Sequence, residues 1–386
     1  MLTDKNTSNS PTLKFSDVAK QCKESVDRED NPFERYVEGG HMDTDCLNIS
    51  RWGVFGNDYV GPAFHRIFRK GQILYGSRRT YLRKVAEANF DGITANTTFV
   101  IEPKKNISFV PGLLKYLMLS EKFTQHSISV SKGSTNPYIN WKDIGCFSFK
   151  CLDVHTQKKY LSILDKNEEV YSRALAVFSS AQELKRVLIA KLFSPETLKS
   201  HGARLVKLKN HMEIQSGQVD PTISPYKEMS HIAPDNIEKG TGRLLDFQSA
   251  ERDCISSGKY LFGPEHVLYS KIRPNLRKVC FPRFEGVCSA DVYPIKGCNG
   301  LTTDYLFYLM QTEHFHRYAE GVSMRSGFPK INRDDLGAYS FFIPSEFEQD
   351  RVFRLLRQID GQLDVLNQKL QIPFELRRQI LNKLVF

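Results

Sequence analysis

No two cysteines of this chain stand at CxxC spacing, and none groups with histidines at zinc-ligand spacing. The eight, at positions 22, 46, 146, 151, 254, 280, 288 and 298, therefore read as reduced thiols of a cytoplasmic protein. No apolar run approaches membrane-spanning length, so no membrane association is expected. The opening MLTDKNTSNSP is polar, unlike a signal peptide or an anchor. A G-x-x-x-x-G-K-[ST] loop, a G-x-G-x-x-G turn and an H-E-x-x-H helix are all missing. These absences speak against a P-loop ATPase, a dinucleotide enzyme and a zinc protease. No separated carboxylate pair marks a nuclease. His314 and His316 form an H-x-H with no further ligands nearby, and a helix surface is expected for them. The sequence thus offers no catalytic residue and no metal site.

What is present is basic charge and length. Lys plus Arg number 54 against 44 Asp plus Glu, a formal charge of +10, which favours a polyanionic partner. Apolar residues make up 40% and charged residues 25%, a soluble globular composition, and 386 residues suit two or three domains.

The chain also repeats itself. ILYGSRRTYLRKV (73–85) returns as VLYSKIRPNLRKV (267–279). Leu74, Tyr75, Arg79, Leu82, Arg83, Lys84 and Val85 recur as Leu268, Tyr269, Arg273, Leu276, Arg277, Lys278 and Val279, and Phe90 and Gly92 as Phe284 and Gly286. YLMLSEKF (116–123) pairs with YLMQTEHF (308–315), at an offset of 192. The same offset joins VSKGSTNPYINWKDIGCFSF (130–149) to VSMRSGFPKINRDDLGAYSF (322–341), and ELKRVL (183–188) to ELRRQI (375–380). Two copies of one unit explain this, and a duplicated unit suits two similar targets.

Each copy opens with a mixed α/β (α+β) part. RIFRKGQILYG, ITANTTFVIEP, HVLYSKIR and VCSADVYPI read as strands punctuated by turn residues. PGLLKYLMLSEKF (111–123) and TTDYLFYLMQTEHF (302–315) each read as one helix. A long helical part follows, from about Val154 and again from about Phe347. In the second, Val352, Leu356, Ile359, Leu363, Leu366 and Leu370 step by four and three, a coiled-coil stripe. Tyr160, Leu164, Asn167, Tyr171, Ala174 and Phe178 fill the same slots in the first. About 40 helical residues span about 60 Å, and an apolar face of that length needs a partner. The matching helix, running antiparallel, is the economical one; packing of each helix on its own domain is the alternative. Pro373 is expected to kink or split the second helix, and Gly361 to weaken it. The boundaries expected are 1–152, 153–202, 203–344 and 345–386.

Two places in each copy suit nucleic acid. One is the basic cluster, Arg78, Arg79, Arg83 and Lys84 in the first copy and Lys271, Arg273, Arg277 and Lys278 in the second. On a strand, Arg79 and Arg83 share a face, as do Arg273 and Arg277, and could line up with phosphates. A basic strand edge that discourages pairing is the alternative. The other is the loop SKGSTNPY, offering Lys132, Ser134, Asn136 and Tyr138, matched by SMRSGFPK with Arg325, Ser326 and Lys330. A constant frame around a changing loop is what two readers of different sequences would show; a surface loop without a ligand is the alternative. Trp52, Asn57, Tyr59, Arg243 and Arg252, in segments that differ between the copies, are further candidates. Asn136-Pro137-Tyr138 is similar to the short signature by which adenine methyltransferases hold a flipped base. Phe328-Pro329-Lys330 lacks both ends of it, and no glycine-rich cofactor segment accompanies either, so methyl transfer by this chain is not expected.

PKINRDDLGAYSFFIPSEFEQDRVFRLLRQID (329–360) resembles the phrase that closes each recognition domain in the specificity subunit of type I restriction–modification enzymes. Ile331, Leu336, Gly337, Ile343, Pro344, Glu348 and Gln349 fit it. In the first copy Ile139, Ile144, Gly145 and Gln157 fit, while Leu152 and Thr156 stand where Pro and Glu would. The resemblance runs from about Leu13 to Phe386. It implies two similar target-recognition domains separated by two long antiparallel helices in a coiled coil, as a pseudo-twofold repeat. It implies a non-catalytic subunit reading a split double-stranded DNA target, with the helices as a ruler for the gap. One helical turn, about 5.4 Å, would change that gap by one to two base pairs of about 3.4 Å. The partners implied are two modification (methyltransferase) subunits, which carry the S-adenosylmethionine, and restriction/translocase subunits. A protein scaffold, or a subunit completing a partner's active site, is the other kind of role that the residues allow.

Overall fold

The computed structural model describes residues 11–27, 30–57, 60–324 and 329–384. It divides into two units. Unit 1 takes the chain up to Val177 and again from Leu366, and unit 2 takes Phe178–Val365. The division falls inside both long helices, so each unit holds one α/β head and a stretch of each helix.

In unit 1, one antiparallel sheet runs Ala19–Cys22, Thr98–Pro103, Ile73–Gly76, Val85–Glu87. A second runs Gly53–Val54, Arg35–Val37, Gly92–Ala95, Phe64–Phe68, with Arg35–Val37 parallel to Gly92–Ala95. In unit 2 the first order returns as Met212–Ile214, Val292–Gly297, Val267–Ser270, Val279–Cys280. The second returns as Gln248–Ser249, Ser230–Ile232, Gly286–Cys288, Lys259–Phe262, with Gln218–Val219 added at the edge. The recurring glycine has a steric reason. A Cβ on Gly92 would lie 2.8 Å from the Arg35 carbonyl oxygen and 2.8 Å from the Phe68 ring. On Gly286 it would lie 2.6 Å from the Ser230 oxygen and 2.7 Å from the Phe262 ring. Only glycine lets the parallel strand close up beneath the aromatic ring.

The single helix expected over 111–123 is instead two short ones, Leu114–Met118 and Glu121–Ser129. Its counterpart is Thr303–Leu309 followed by Glu313–Ser323. The break falls at Ser120 and Thr312, whose hydroxyls accept from the Phe123 and Phe315 amides and so start a new helix.

The long helices are Val154–Leu192 and Glu346–Leu384, of 39 residues each. They pair within each unit. In unit 1, Leu164 shares a core with Ile380, Leu381 and Leu384, and Glu168 meets Arg377 at 3.0 Å. In unit 2, Ile189 shares a core with Val352 and Leu356, and Lys185 meets Asp360 at 2.7 Å. In both, one number rises as the other falls, so the pairing is antiparallel. Val352, Leu356, Leu363, Leu370, Leu164 and Phe178 are buried, and Ile359, Leu366 and Tyr171 half-buried. Pro373 does not split the second helix, which runs through it as one element. The Asn167 amide nitrogen donates to the Pro373 carbonyl at 2.8 Å, so a polar stripe position bonds across to the second helix at the proline.

Candidate nucleic-acid interface

The basic cluster is a turn rather than a strand. Between the strands Ile73–Gly76 and Val85–Glu87 the chain makes a 3₁₀ turn, Thr80–Leu82. Arg79 (φ 49°) and Arg83 (φ 50°) flank it in the left-handed region. Unit 2 repeats this at Pro274–Leu276, with Arg273 at φ 47° and Arg277 at φ 53°. Left-handed backbone costs a non-glycine residue about 1 kcal/mol or more. Four arginines adopt it, so the expected strand face, with alternating side chains, does not form.

The left-handed bends send the two arginines of each turn to different fates. Arg83 turns inward: its Nε donates to Asp45 at 2.7 Å, and Nη1 donates to Thr124 at 2.8 Å and Glu121 at 3.1 Å. Its Nη2 donates to the Leu119 carbonyl. Arg277 is held by Glu313 at 2.7 and 3.2 Å. Lys84 donates to the Gly39 carbonyl, and Lys278 to that of Pro234 at 2.7 Å. These four hold the turn to the rest of the head. Arg78, Arg79 and Arg273 are exposed.

The structure brings the turn and the loop together in each unit. In unit 1 the Arg79 amide donates to the Pro137 carbonyl at 2.6 Å, and Ile139 to Ser77 at 2.9 Å. Lys132 and Tyr138 exchange backbone bonds at 2.8 and 2.9 Å, so the loop closes as a small hairpin with Gly133 at φ 87°. Lys132, Ser134, Asn136 and Tyr138 are exposed beside Arg78 and Arg79. In unit 2 the Arg273 amide donates to Pro329 at 2.9 Å and Ile331 to Lys271 at 2.9 Å. Lys330 is exposed there; Arg325 and Ser326 lie outside the described residues, as does Tyr59. Lys271 is half-buried against Tyr293 and 3.7 Å from Asp291. Burial, then the facing Lys330 ammonium, pulls its pKa below the usual lysine value.

Sequence reasoning passed over several neighbours. Tyr81, 52% exposed, crowns the first turn, and its counterpart Asn275 is exposed too. Both lie inside the repeated Arg-x-x-Leu-Arg-Lys phrase, which was the signal. Arg35 stacks 4.6 Å from the exposed Trp52, and Arg333 lies 5.7 Å from Tyr293. Asn57 and Arg252 are exposed, while Arg243 is tied to Glu238 at 2.8 Å. His316 is not on the surface. It is 3% exposed, its Nδ1 has no hydrogen-bond partner, and burial pushes its pKa down to about 4. It lines a unit 2 cavity of about 720 Å³ together with Lys185, Arg243, Arg277, Arg283 and Phe307. Among the described residues there is no cluster of three or more potential metal ligands, and no helix long and apolar enough to cross a membrane.

No protein-family model matches the chain. A stretch of 144 residues, 37% of this chain, is 35% identical to the Type I restriction enzyme EcoDI specificity subunit of Escherichia coli. The match spans 32% of that relative's length. Among solved structures, the Type-I restriction-modification system S subunit from M. genitalium aligns with a TM-score of 0.60 at 12% identity. That alignment covers 100% of this chain and 98% of the other. The HsdS subunit from Thermoanaerobacter tengcongensis aligns at a TM-score of 0.39 and 16% identity, over 98% of this chain and 97% of that one. The chain is thus homologous over part of its length to a type I restriction–modification specificity subunit, and over its whole length it takes the fold of one.

Proposed function

We propose that the chain is the sequence-specific DNA-recognition subunit of a type I restriction–modification complex. Each head reads one half of a bipartite duplex target with its turn and adjoining loop. The observation that carries this is the joining of an exposed basic turn to a chemically variable loop by the same backbone bonds in both heads. Arg78, Arg79, Arg273 and Lys330 supply phosphate contacts, and the exposed Ser134 and Asn136 of the first loop reach base edges. The helices, which belong to both units, set the gap between half-sites. They also dock two methyltransferase subunits. In unit 1, Ile163, Val170 and Val177 stand seven residues apart and are 39%, 59% and 54% exposed, an apolar line suited to a partner's helix. The chain itself performs no chemistry on this reading. S-adenosylmethionine belongs to the methyltransferase partner, and the restriction/translocase subunits cleave unmodified DNA.

Binding to duplex DNA across a salt series, with and without the methyltransferase subunit, tests this. Binding that falls steeply with salt and selects a split site when the partner is present is the expected result. No duplex binding at any ionic strength, in either state, contradicts it.

A further inference from the structure

Three residues before each stripe begins, where the helix leaves its own head, stands a glutamine. Gln157 is 1% exposed and Gln349 0%. Each is buried where helix and head meet and bonds to backbone of its own head, Gln349 also accepting from the Thr302 hydroxyl at 3.1 Å. The Gln157 Nε2 donates to Ser108 and Leu152 carbonyls at 2.7 Å each, and its Oε1 accepts from the Val110 amide at 2.9 Å. The Gln349 Nε2 donates to Gly300 at 2.7 Å and Pro344 at 3.0 Å, and its Oε1 accepts from the Thr302 amide at 2.9 Å. Thr302 in turn caps the helix Thr303–Leu309 through its hydroxyl.

A second attachment lies further along each helix. In unit 1 the Tyr116 hydroxyl donates to Asp165 at 2.9 Å, and in unit 2 that of Tyr308 donates to Asp360 at 2.6 Å. Eight residues separate Gln157 from Asp165 and eleven separate Gln349 from Asp360, about 12 Å and about 16 Å of helix. One attachment allows a head to swivel on its helix; two attachments fix its direction. The hydrophobic drive is non-directional, and the packed core constrains the angle only through shape. A buried amide with three backbone bonds fixes it, since any tilt orphans groups that water cannot reach.

We infer that Gln157 and Gln349 are positioning residues that fix the pose of each head on its long helix, and so the gap length at which the two heads accept DNA. This rests on the recognition role proposed above. Methionine has the same length and makes no such bonds, so Gln349→Met removes the attachment and keeps the volume.

The test uses the full chain. Hydrogen exchange on the chain alone reads the Thr302 amide. Methylation by the complex with its modification subunits is then compared on duplexes with the native gap and with one base pair added or removed. In Gln349→Met, exchange at Thr302 is expected to speed up by tenfold or more. Preference for the native gap is expected to fall about tenfold, the equivalent of one lost buried hydrogen bond. Tyr308→Phe, which removes the other attachment where Asp360 is 25% exposed, should relax gap choice in the same direction and less; it serves if Gln349→Met does not fold. Faster exchange with unchanged gap preference overturns the positioning role and leaves the recognition reading intact. Unchanged exchange also overturns it. A wild-type complex that methylates no split site at all sinks the recognition reading and this inference with it.

Discussion

The two helix pairs place charge at the same stripe positions and resolve it differently. Arg377 in unit 1 and Lys185 in unit 2 occupy matching slots of ELRRQI and ELKRVL, and Glu168 and Asp360 match at the same offset. In unit 1 the guanidinium is 4% exposed, bonds Glu168 at 3.0 Å and the Asp45 carbonyl, and lies 5.5 Å from the Tyr171 ring. It fills the corner between helices and head, leaving a cavity of about 30 Å³. In unit 2 the slot of Asp45 is taken by Gly240, whose amide bonds Arg277 as that of Asp45 bonds Arg83. Lys185 turns to Asp360 and Gln311, and a cavity of about 720 Å³ stays open. Arginine has five fixed donors where lysine has one rotating head, so one slot is closed by a network that reaches the head's backbone and the other by an ion pair and one amide contact. Two heads with the same strand order need not share the side chains that close them.

The largest expected effect comes from breaking the closed corner. Arg377→Ala leaves Glu168 buried and unpaired, and should destabilise unit 1 by about 3–5 kcal/mol. Both tryptophans, Trp52 and Trp141, lie in unit 1, so a fall in the urea midpoint of tryptophan fluorescence measures it. An unchanged midpoint means that the ion pair does not hold the corner.

Acid should separate the units next. His316 stands where unit 1 has Thr124, the acceptor of Arg83. Its folded pKa of about 4, set by burial and then by Arg277 and opposed by Glu313, lies below the ordinary value of 6.5. The unfolded chain therefore binds the proton first. Stability is full above pH 6.5 and declines as pH falls towards 4, by on the order of 3 kcal/mol. Hydrogen exchange in unit 2 should show this decline, and His316→Thr should flatten it. A decline of equal size in His316→Thr would assign the effect to another group.

Lys185→Ala should cost less than Arg377→Ala, about 1–2 kcal/mol, because Asp360 keeps the Tyr308 hydroxyl and is 25% exposed. Exchange rates in unit 2 compare the two directly, and equal costs would erase the contrast between a network and a pair.

The smallest effect on folding is expected at Arg79. Arg79→Gly relieves a left-handed residue, so stability should hold or rise by up to about 1 kcal/mol. DNA affinity should fall, and its salt slope should drop by about one. Lost stability with unchanged binding would make Arg79 a fold residue rather than a contact.

Much of this frame was legible in the sequence because it is periodic. Strands announced themselves by β-branched runs between turn residues. The stripe from Val352 to Leu370 was readable from its four–three stepping, since burial along a paired helix has that period. The Arg79 and Arg83 bends were not, because arginine carries no propensity for the left-handed region. The break at Ser120 had a readable capping signal that the surrounding apolar period masked. The continuity of the helix through Pro373 was not legible either, since the Asn167 side chain that bonds the Pro373 carbonyl lies over 200 residues away in sequence. The meeting of turn and loop rests on backbone bonds between distant segments, for which composition holds no signal. The burial of His316 escaped for the same reason, since only the packed head determines which side of its helix faces inward.

The most direct measurement is the map of methylated adenines in DNA exposed to the chain combined with the modification and restriction subunits proposed for it, before and after residues 1–152 are exchanged for the first head of a type I specificity subunit. The account predicts a split sequence with a fixed gap, of which the exchange alters one half and leaves the other intact. Modification at an unbroken sequence, or a change in both halves, would contradict it.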